Sequence, residues 1–369
     1  MTINPTKERK MTQYPLTPKP PIRRSPLLPL ALVALLFGTG YAPLAFADTA
    51  LGQGAVFAAD EGDGSLSRID LATGSVEAIP LPLMPHNVDI SRTAGLVLVV
   101  GLGGMEAGTM QGMDMGDNGK GLLAVLRLDD LKAGPVAVID AGHHPAHVVP
   151  DKDGTQVFVT DSESNLVSVI DLSSGKAVAR IATGAYPHGL RLSPDGTELH
   201  VANVQVGSVS VIDTEALAEV ARIPVGKAPV QVGFTPDGTR VYVSLRDEDK
   251  VAVIDRATRS VIATVPVGRN PIQLYATPDG KFVYVADQGN DENPDNRVSV
   301  IDVASNQVVK TITVGMGAHG VTIGPDGRFV FATNTKDDSV SVIDVANQAV
   351  VETIPVGKEP NGIAITTGN

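Results

Sequence analysis

The sequence contains no cysteine and no tryptophan. The lack of cysteine excludes a disulfide framework, thiolate metal sites, c-type haem attachment and a cysteine nucleophile. Basic residues are the minority, because 29 Lys and Arg stand against 41 Asp and Glu, which gives a net charge of −12. Such a chain lacks the basic surface that a phosphate backbone requires, so nucleic acid is not an expected partner.

The apolar run at residues 27–37 is shorter than the ~20 residues that a membrane-spanning helix needs. It follows six Lys and Arg residues and precedes Ala45-Phe46-Ala47, a small-x-small pattern that signal peptidase recognises. We therefore predict that residues 1–47 are a signal peptide cleaved after Ala47. The mature chain, residues 48–369, would then be periplasmic or secreted, without a membrane span and with a net charge of −17. Arg23-Arg24 leaves open whether export is general or twin-arginine dependent.

Glycine and proline are abundant, with 38 and 26 residues, and they punctuate an internal repeat. One ladder of aspartates closes segments that end in Val-Ile-Asp or a variant of it, at intervals of 59, 42, 42, 42, 47 and 42 residues: Asp70, Asp129, Asp171, Asp213, Asp255, Asp302 and Asp344. A second ladder has nearly the same intervals: Pro85, Pro145, Pro187, Pro229, Pro271, Ala318 and Pro360. A fixed period of this size indicates a solenoid or a propeller.

Each unit is rich in Val and Ile with polar alternation, and Asp-Gly turns separate four short segments, which indicates four antiparallel strands. In the fourth unit we predict strands at 189–192, 198–202, 208–212 and 219–223. Such sheets can cover both faces by stacking around an axis. The chain starts its first unit without an innermost strand and ends with one spare, at residues 360–365. The predicted fold is therefore all-β, a seven-bladed β-propeller whose C-terminal strand completes the first blade.

Several segments resemble the YVTN-repeat propellers, the exported YncE-like proteins: Val157-Phe158-Val159-Thr160-Asp161, Val167-Ser168-Val169-Ile170-Asp171, Val241-Tyr242-Val243 and Ile354-Pro355-Val356-Gly357. The resemblance covers residues 54–369. It implies the propeller fold, whereas members of this family bind diverse partners, so the resemblance does not select a function.

Histidine and methionine collect on one predicted face of the ring, which we call the top face. It carries the lead-in segments, the stretches that lead into each innermost strand. Six of the seven histidines lie in these segments: His86, His143, His144, His147, His188 and His319. The first long interval accommodates an insertion at residues 103–120, also on the top face, which contains Met105, Met110, Met113 and Met115.

This combination of side chains favours a soft metal ion. Thioether sulfur prefers Cu(I), and imidazole accepts Cu(II) or Zn²⁺. The Met-x-x-Met-x-Met spacing is similar to that of Met-rich segments in exported copper-handling proteins. Seven-bladed propellers such as that of nitrous-oxide reductase hold His-ligated copper at a channel mouth, although only the architecture is shared. We predict a copper site in which His86, His147, His188 and His319 are inner ligands, with His143, His144 and the four methionines as further candidates.

Two other functions remain open. The protein could be a metal-free binding or interaction scaffold for a small ligand, a peptide or a periplasmic partner protein, with further polar groups at the channel mouth: Asn87, Gln231, Gln273 and Asn361. It could also be a lactonase-like hydrolase that uses the central channel, although no Gly-x-Ser-x-Gly or His-Glu-x-x-His motif is present. The acidic loop at residues 287–296 lacks the spacing of a Ca²⁺ loop, and we interpret it as a solvated loop.

Overall fold

The computed structural model describes residues 51–103 and 119–367. The predicted signal peptide and the four insertion methionines lie outside these residues. No helix in the described part of the chain has the length and apolar character that crossing a membrane would need.

The described chain forms seven four-stranded antiparallel sheets, the blades of a propeller. The strands are, in blade 1, β1 (Gly54–Asp60), β2 (Ser65–Asp70) and β3 (Val76–Pro80); in blade 2, β4 (Leu83–Ser91), β5 (Leu96–Gly103), β6 (Gly121–Arg127) and β7 (Ala137–Gly142); in blade 3, β8 (Pro145–Pro150), β9 (Gln156–Asp161), β10 (Leu166–Asp171) and β11 (Lys176–Ala182); in blade 4, β12 (Pro187–Leu192), β13 (Glu198–Asn203), β14 (Ser208–Asp213) and β15 (Ala218–Pro224); in blade 5, β16 (Pro229–Phe234), β17 (Arg240–Leu245), β18 (Lys250–Asp255) and β19 (Ser260–Pro266); in blade 6, β20 (Pro271–Ala276), β21 (Phe282–Gly289), β22 (Pro294–Asp302) and β23 (Gln307–Thr313); in blade 7, β24 (Ala318–Ile323), β25 (Phe329–Asn334), β26 (Ser339–Asp344) and β27 (Ala349–Pro355); and finally β28 (Pro360–Thr367). Two short 3₁₀ turns, Leu131–Ala133 and Arg246–Glu248, interrupt the loops.

Ring closure follows the sequence prediction. The last strand, β28, pairs with β1, so that Ile365 lies opposite Val56 and the two ends of the chain share one sheet. The predicted strands of blade 4 agree with the observed ones to within two residues. Because the last strand of the chain completes the first sheet, β1 is not left as an unpaired inner edge of blade 1.

Burial explains the sequence pattern of each layer. The middle strands are covered on both faces by neighbouring blades, so strands such as β9 are almost wholly buried and their apolar runs are nearly continuous. The outer strands face solvent and alternate, as in β15. The Asp ladder makes turns, since Asp171 accepts the backbone N–H of Ser174 at 2.8 Å.

The direction of the strands places Gly103 and Gly121, the strand residues on either side of the insertion, at the top end of blade 2. On β4 and β5, Pro85 lies opposite Gly101 and Leu83 lies opposite Gly103. The last residue described before the insertion is therefore at the same end of the blade as Pro85, which directly precedes His86.

Candidate functional site

An irregularity in the innermost strands builds the channel mouth. Each of these seven strands has a register shift between its ladder position and the residues that follow. In a regular strand, successive side chains point to opposite faces, whereas a bulge can direct either of two consecutive side chains to one side. Consequently, His188 one residue after its ladder proline and His147 two residues after its own can share the channel.

Glycine often follows the polar residue that stands directly after the ladder position. His188, His319 and Asn361 are each followed by glycine. A Cβ atom on Gly189 would lie 2.2 Å from Gln231 Oε1 and 2.5 Å from the Val230 carbonyl oxygen. Glycine is therefore needed there because the neighbouring blade passes through the space that a side chain would occupy.

Three imidazoles converge at this mouth, from blades 2, 3 and 4. One ligating nitrogen from each of His86, His147 and His188 lies within 4.8 Å of the other two. The Nε2 atoms of His86 and His188 are 3.4 Å apart, and the ring centroids of His147 and His188 are 5.0 Å apart. The trio joins residues that are up to 102 positions apart in sequence.

Hydrogen bonds direct two of these rings toward each other. His86 Nδ1 faces Glu61 Oε2 at 3.4 Å, and His188 Nδ1 faces the Val230 carbonyl oxygen at 3.3 Å. The Val230 carbonyl can only accept, so His188 Nδ1 carries the proton and its Nε2 presents a lone pair. His86 Nδ1 also lies 3.2 Å from the donor Asn361 Nδ2, so its contacts are compatible with a proton on either ring nitrogen. The two Nε2 atoms share a hydrogen bond when His86 carries its proton on Nε2, and they can share a cation when His86 carries it on Nδ1.

The third imidazole is held differently. Gln231 Oε1 accepts the Val232 N–H, which identifies the other amide atom as Nε2, and this Nε2 lies 3.4 Å from His147 Nδ1. The amide therefore donates to Nδ1 and favours the Nε2–H tautomer of His147. The backbones of His147 and His188 are tied by one hydroxyl, because Thr160 Oγ1 accepts the His147 N–H at 3.0 Å and donates to the His188 carbonyl at 2.7 Å.

Burial keeps the trio ready to bind a cation. It lowers the pKa values of His147 and His188 well below the ordinary value, and the neighbouring histidines lower them further. Burial would raise the pKa of Glu61, but its hydrogen bond and charge interaction with His86 hold the pKa below its usual range. Neutral imidazoles at His147 and His188, close to the ionised carboxylate of Glu61, are groups suited to binding a transition-metal ion.

The other predicted residues are placed less uniformly. His319 is buried in the same ring of strands, with its ring centroid 6.5 Å from that of His86, but it is outside the trio. Burial, followed by the charge of His86, lowers the pKa of His319 to about 3. His143 and His144 bond through their backbone N–H groups to Asp161, and their rings are not part of the trio.

The predicted amides also take different roles. Asn87 Oδ1 accepts the Val148 N–H and so links two blades. Asn361 Nδ2 donates to Glu61, beside His86. Gln273 is 2% exposed, and its Nε2 has no hydrogen-bond partner among the described residues.

Sequence reasoning missed Glu61 and Thr160. Glu61 lies in the β1–β2 turn, and ring closure alone brings it to Asn361. Its signal was weak, because the equivalent positions in other blades carry unrelated residues. Thr160 belongs to a repeated pattern that could have been noticed, since Ser244 and Thr333 form the same pair of bonds between neighbouring blades.

Comparison with known proteins supports the fold. Residues 217–368 match the family of YncE-like β-propellers, and residues 133–287 match the cytochrome D1 heme domain. No curated protein matches the sequence significantly.

Three solved structures resemble this one closely in fold. Hydrazine synthase of Kuenenia stuttgartiensis is 20% identical over 76% of this chain and 89% of its own, with a TM-score of 0.63. A functionally unknown protein of Desulfotomaculum acetoxidans is 15% identical over 86% and 100%, with a TM-score of 0.69. A putative 6-phosphogluconolactonase of Bacteroides uniformis is 16% identical over 85% and 99%, with a TM-score of 0.68. At these identities the likeness is one of fold alone.

Proposed function

Because the protein is a YncE-like β-propeller with three imidazoles converging at one mouth of its channel, we propose that it binds a transition-metal ion there, copper first and zinc second. The observation that carries this proposal is the convergence of the trio, in which the Nε2 atoms of His86 and His188 are 3.4 Å apart. Two nitrogens at that separation, each ~2.05 Å from one ion, subtend about 112° at the ion, which is close to tetrahedral.

His147 completes the set after a small movement and the release of one of its nitrogens, by a change of tautomer or by loss of the Gln231 hydrogen bond. Nitrogens on opposite sides of one ion are at most ~4.1 Å apart, and the ligand atoms of the trio lie within 4.8 Å. Three imidazoles leave a fourth position open for a solvent molecule, a thioether or a substrate.

The choice of copper rests on the sequence. Imidazoles alone accept Cu(II) or Zn²⁺, whereas the methionines of residues 103–120 favour Cu(I). We propose that the protein is exported and that copper is therefore available to it.

A haem group does not fit the trio. Two axial imidazoles must leave the whole macrocycle between them. Here the Nε2 atoms of His86 and His188 are 3.4 Å apart, and the ring of His147 packs against both, with centroids 6.0 Å and 5.0 Å away. The similarity to the cytochrome D1 heme domain is therefore interpreted as a similarity of propeller blades.

Metal content measured by mass spectrometry after loading with Cu(II) or Zn²⁺ and desalting tests the proposal. We expect one equivalent of metal in the mature protein and a loss of at least tenfold in affinity in His188→Gln. His143→Gln is the matched control, because His143 is an exposed lead-in histidine outside the trio. Equal metal content in His188→Gln and the unmodified protein would refute the site, and no metal in either would favour the metal-free scaffold.

The hydrolase alternative is tested with the same proteins. Lactone hydrolysis that is abolished by a chelator and by His188→Gln would assign a catalytic role to the metal. Hydrolysis that survives both would place that activity elsewhere in the molecule.

A further inference from the structure

The part of the channel mouth formed by blades 6, 7 and 1 contains three buried polar side chains, each with one atom that lacks a hydrogen-bond partner among the described residues. Gln273, His319 and Asn361 come from blades 6, 7 and 1, which are consecutive around the ring. They are 2%, 7% and 8% exposed. Among the described residues, Gln273 Nε2, His319 Nδ1 and Asn361 Oδ1 have no hydrogen-bond partner. An unpaired buried polar atom costs about 1–3 kcal/mol, so three together indicate a place built for a ligand.

A depression of about 550 Å³ lies above this part of the mouth and not above the trio. Its lining comes from the top loops of blades 5, 6, 7 and 1, and it reaches the channel at Glu61 and Asn361. This volume is within the range of small-molecule sites. We call it the vestibule, and its polar groups include the amides of Asn270, Gln288 and Asn290 and the carboxylate of Glu359.

The unpartnered atoms restrict the chemistry of the ligand. In the orientation that the structure has, Gln273 presents Nε2, which can only donate. The Glu61 carboxylate fixes the amide of Asn361, whose Oδ1 can only accept. A carboxylate cannot donate to Asn361, and an ammonium group cannot accept from Gln273. A hydroxyl group does both, and the neutral imidazole of His319 can pair with it in either tautomer.

We propose that Gln273, His319 and Asn361 form a subsite for a hydroxyl group of a polyhydroxylated small molecule, whose remaining hydroxyls occupy the vestibule. Planar amides and carboxylates such as Asn270 and Glu359 are suited to neighbouring hydroxyls, because they offer donors and acceptors in pairs. The argument for this subsite does not depend on a metal in the trio.

The test is calorimetric titration of the chelator-treated protein with myo-inositol, sodium acetate and methylammonium chloride. We expect myo-inositol to bind and the other two compounds neither to bind nor to compete. Gln273→Leu should weaken the binding of myo-inositol at least tenfold. The matched control is Gln307→Leu, an exposed glutamine on the outer strand β23, which should bind as the unmodified protein does.

Folding is checked separately. Replacing an unpaired buried donor by an apolar side chain of similar size should leave the thermal midpoint of the ligand-free protein unchanged or raise it. A second variant, Gln288→Ala in the vestibule, should also weaken myo-inositol. Absence of myo-inositol binding to the unmodified protein, or equal binding to Gln273→Leu, would overturn the proposal. The three unpartnered atoms would then be interpreted as hydrated by channel water. Because the titrations use metal-free protein, a failure of the metal site would not change their result.

Discussion

Replacing Asp287 by asparagine should remove a pH-dependent loss of stability from blade 6. Asp287 is fully buried near the end of β21, where Ser299 Oγ donates to its Oδ2 at 2.7 Å and its Oδ1 has no partner among the described residues. Blades 4 and 7 carry asparagine at the same position. There, Asn203 and Asn334 each donate through Nδ2 to two serine hydroxyls.

The magnitude follows from the pKa of this carboxyl group. Burial, and to a lesser extent the charge of Asp295, raises the pKa of Asp287 to about 7, although the Ser299 hydrogen bond opposes the shift. In the unfolded chain an aspartate has a pKa of ~3.9. The folded protein thus retains the proton between about pH 4 and 7, so the contribution of this group to stability is fully present below pH 4 and is lost as the pH rises to 7. Three pKa units correspond to at most about 4 kcal/mol.

Urea denaturation from pH 4.5 to 8 measures the effect. The free energy of unfolding of Asp287→Asn should match that of the unmodified protein near pH 4.5 and exceed it by about 1–4 kcal/mol at pH 8. The reciprocal variant, Asn334→Asp, should add a decline of the same sign. Identical pH dependence in Asp287→Asn and the unmodified protein would refute the reasoning.

Three further predictions concern the channel mouth. Thr160→Val keeps the shape of the side chain but removes both hydrogen bonds between the His147 and His188 strands. We therefore expect a loss of about 1–3 kcal/mol in unfolding free energy and weaker metal binding by calorimetry. An unchanged denaturation midpoint would contradict this prediction. Gln231→Glu places a carboxylate opposite His147 Nδ1, which should free Nε2 and raise metal affinity, on the order of tenfold; equal or lower affinity would show that His147 is not a ligand. Deletion of residues 105–115 should lower the affinity for Cu(I) but not for Zn²⁺, and equal Cu(I) affinity with and without the segment would remove the methionines from the site.

The repeat made the fold predictable. Proline and aspartate ladders with the same spacing define seven units, and the spare segment after Pro360 predicts how the ring closes. Local rules suffice for this, because turn residues and strand alternation act within a few positions of each other. The observed sheet order confirms both.

The site was only partly predictable. The sequence placed His86, His147 and His188 at one mouth, but it grouped them with His143 and His144, which the structure does not bring to the trio. The distances between imidazoles of different blades depend on the bulge in each innermost strand. The direction in which each ring presents its lone pair depends on which of its nitrogens meets an acceptor. Neither property has a local sequence signal.

The sequence by itself determined the blades, their number, the direction of the strands and therefore the face on which the histidines lie. These properties recur in every blade, so each repeat of the sequence gives separate evidence for them. Tertiary structure alone decided that Glu61 contacts His86 and that two Nε2 atoms come within 3.4 Å. It also decided that one polar atom each of Gln273, His319 and Asn361 is buried without a partner in the described part of the chain. The physical reason is that these contacts join different blades across the closed ring, where separations of a few ångströms depend on the packing of all seven sheets.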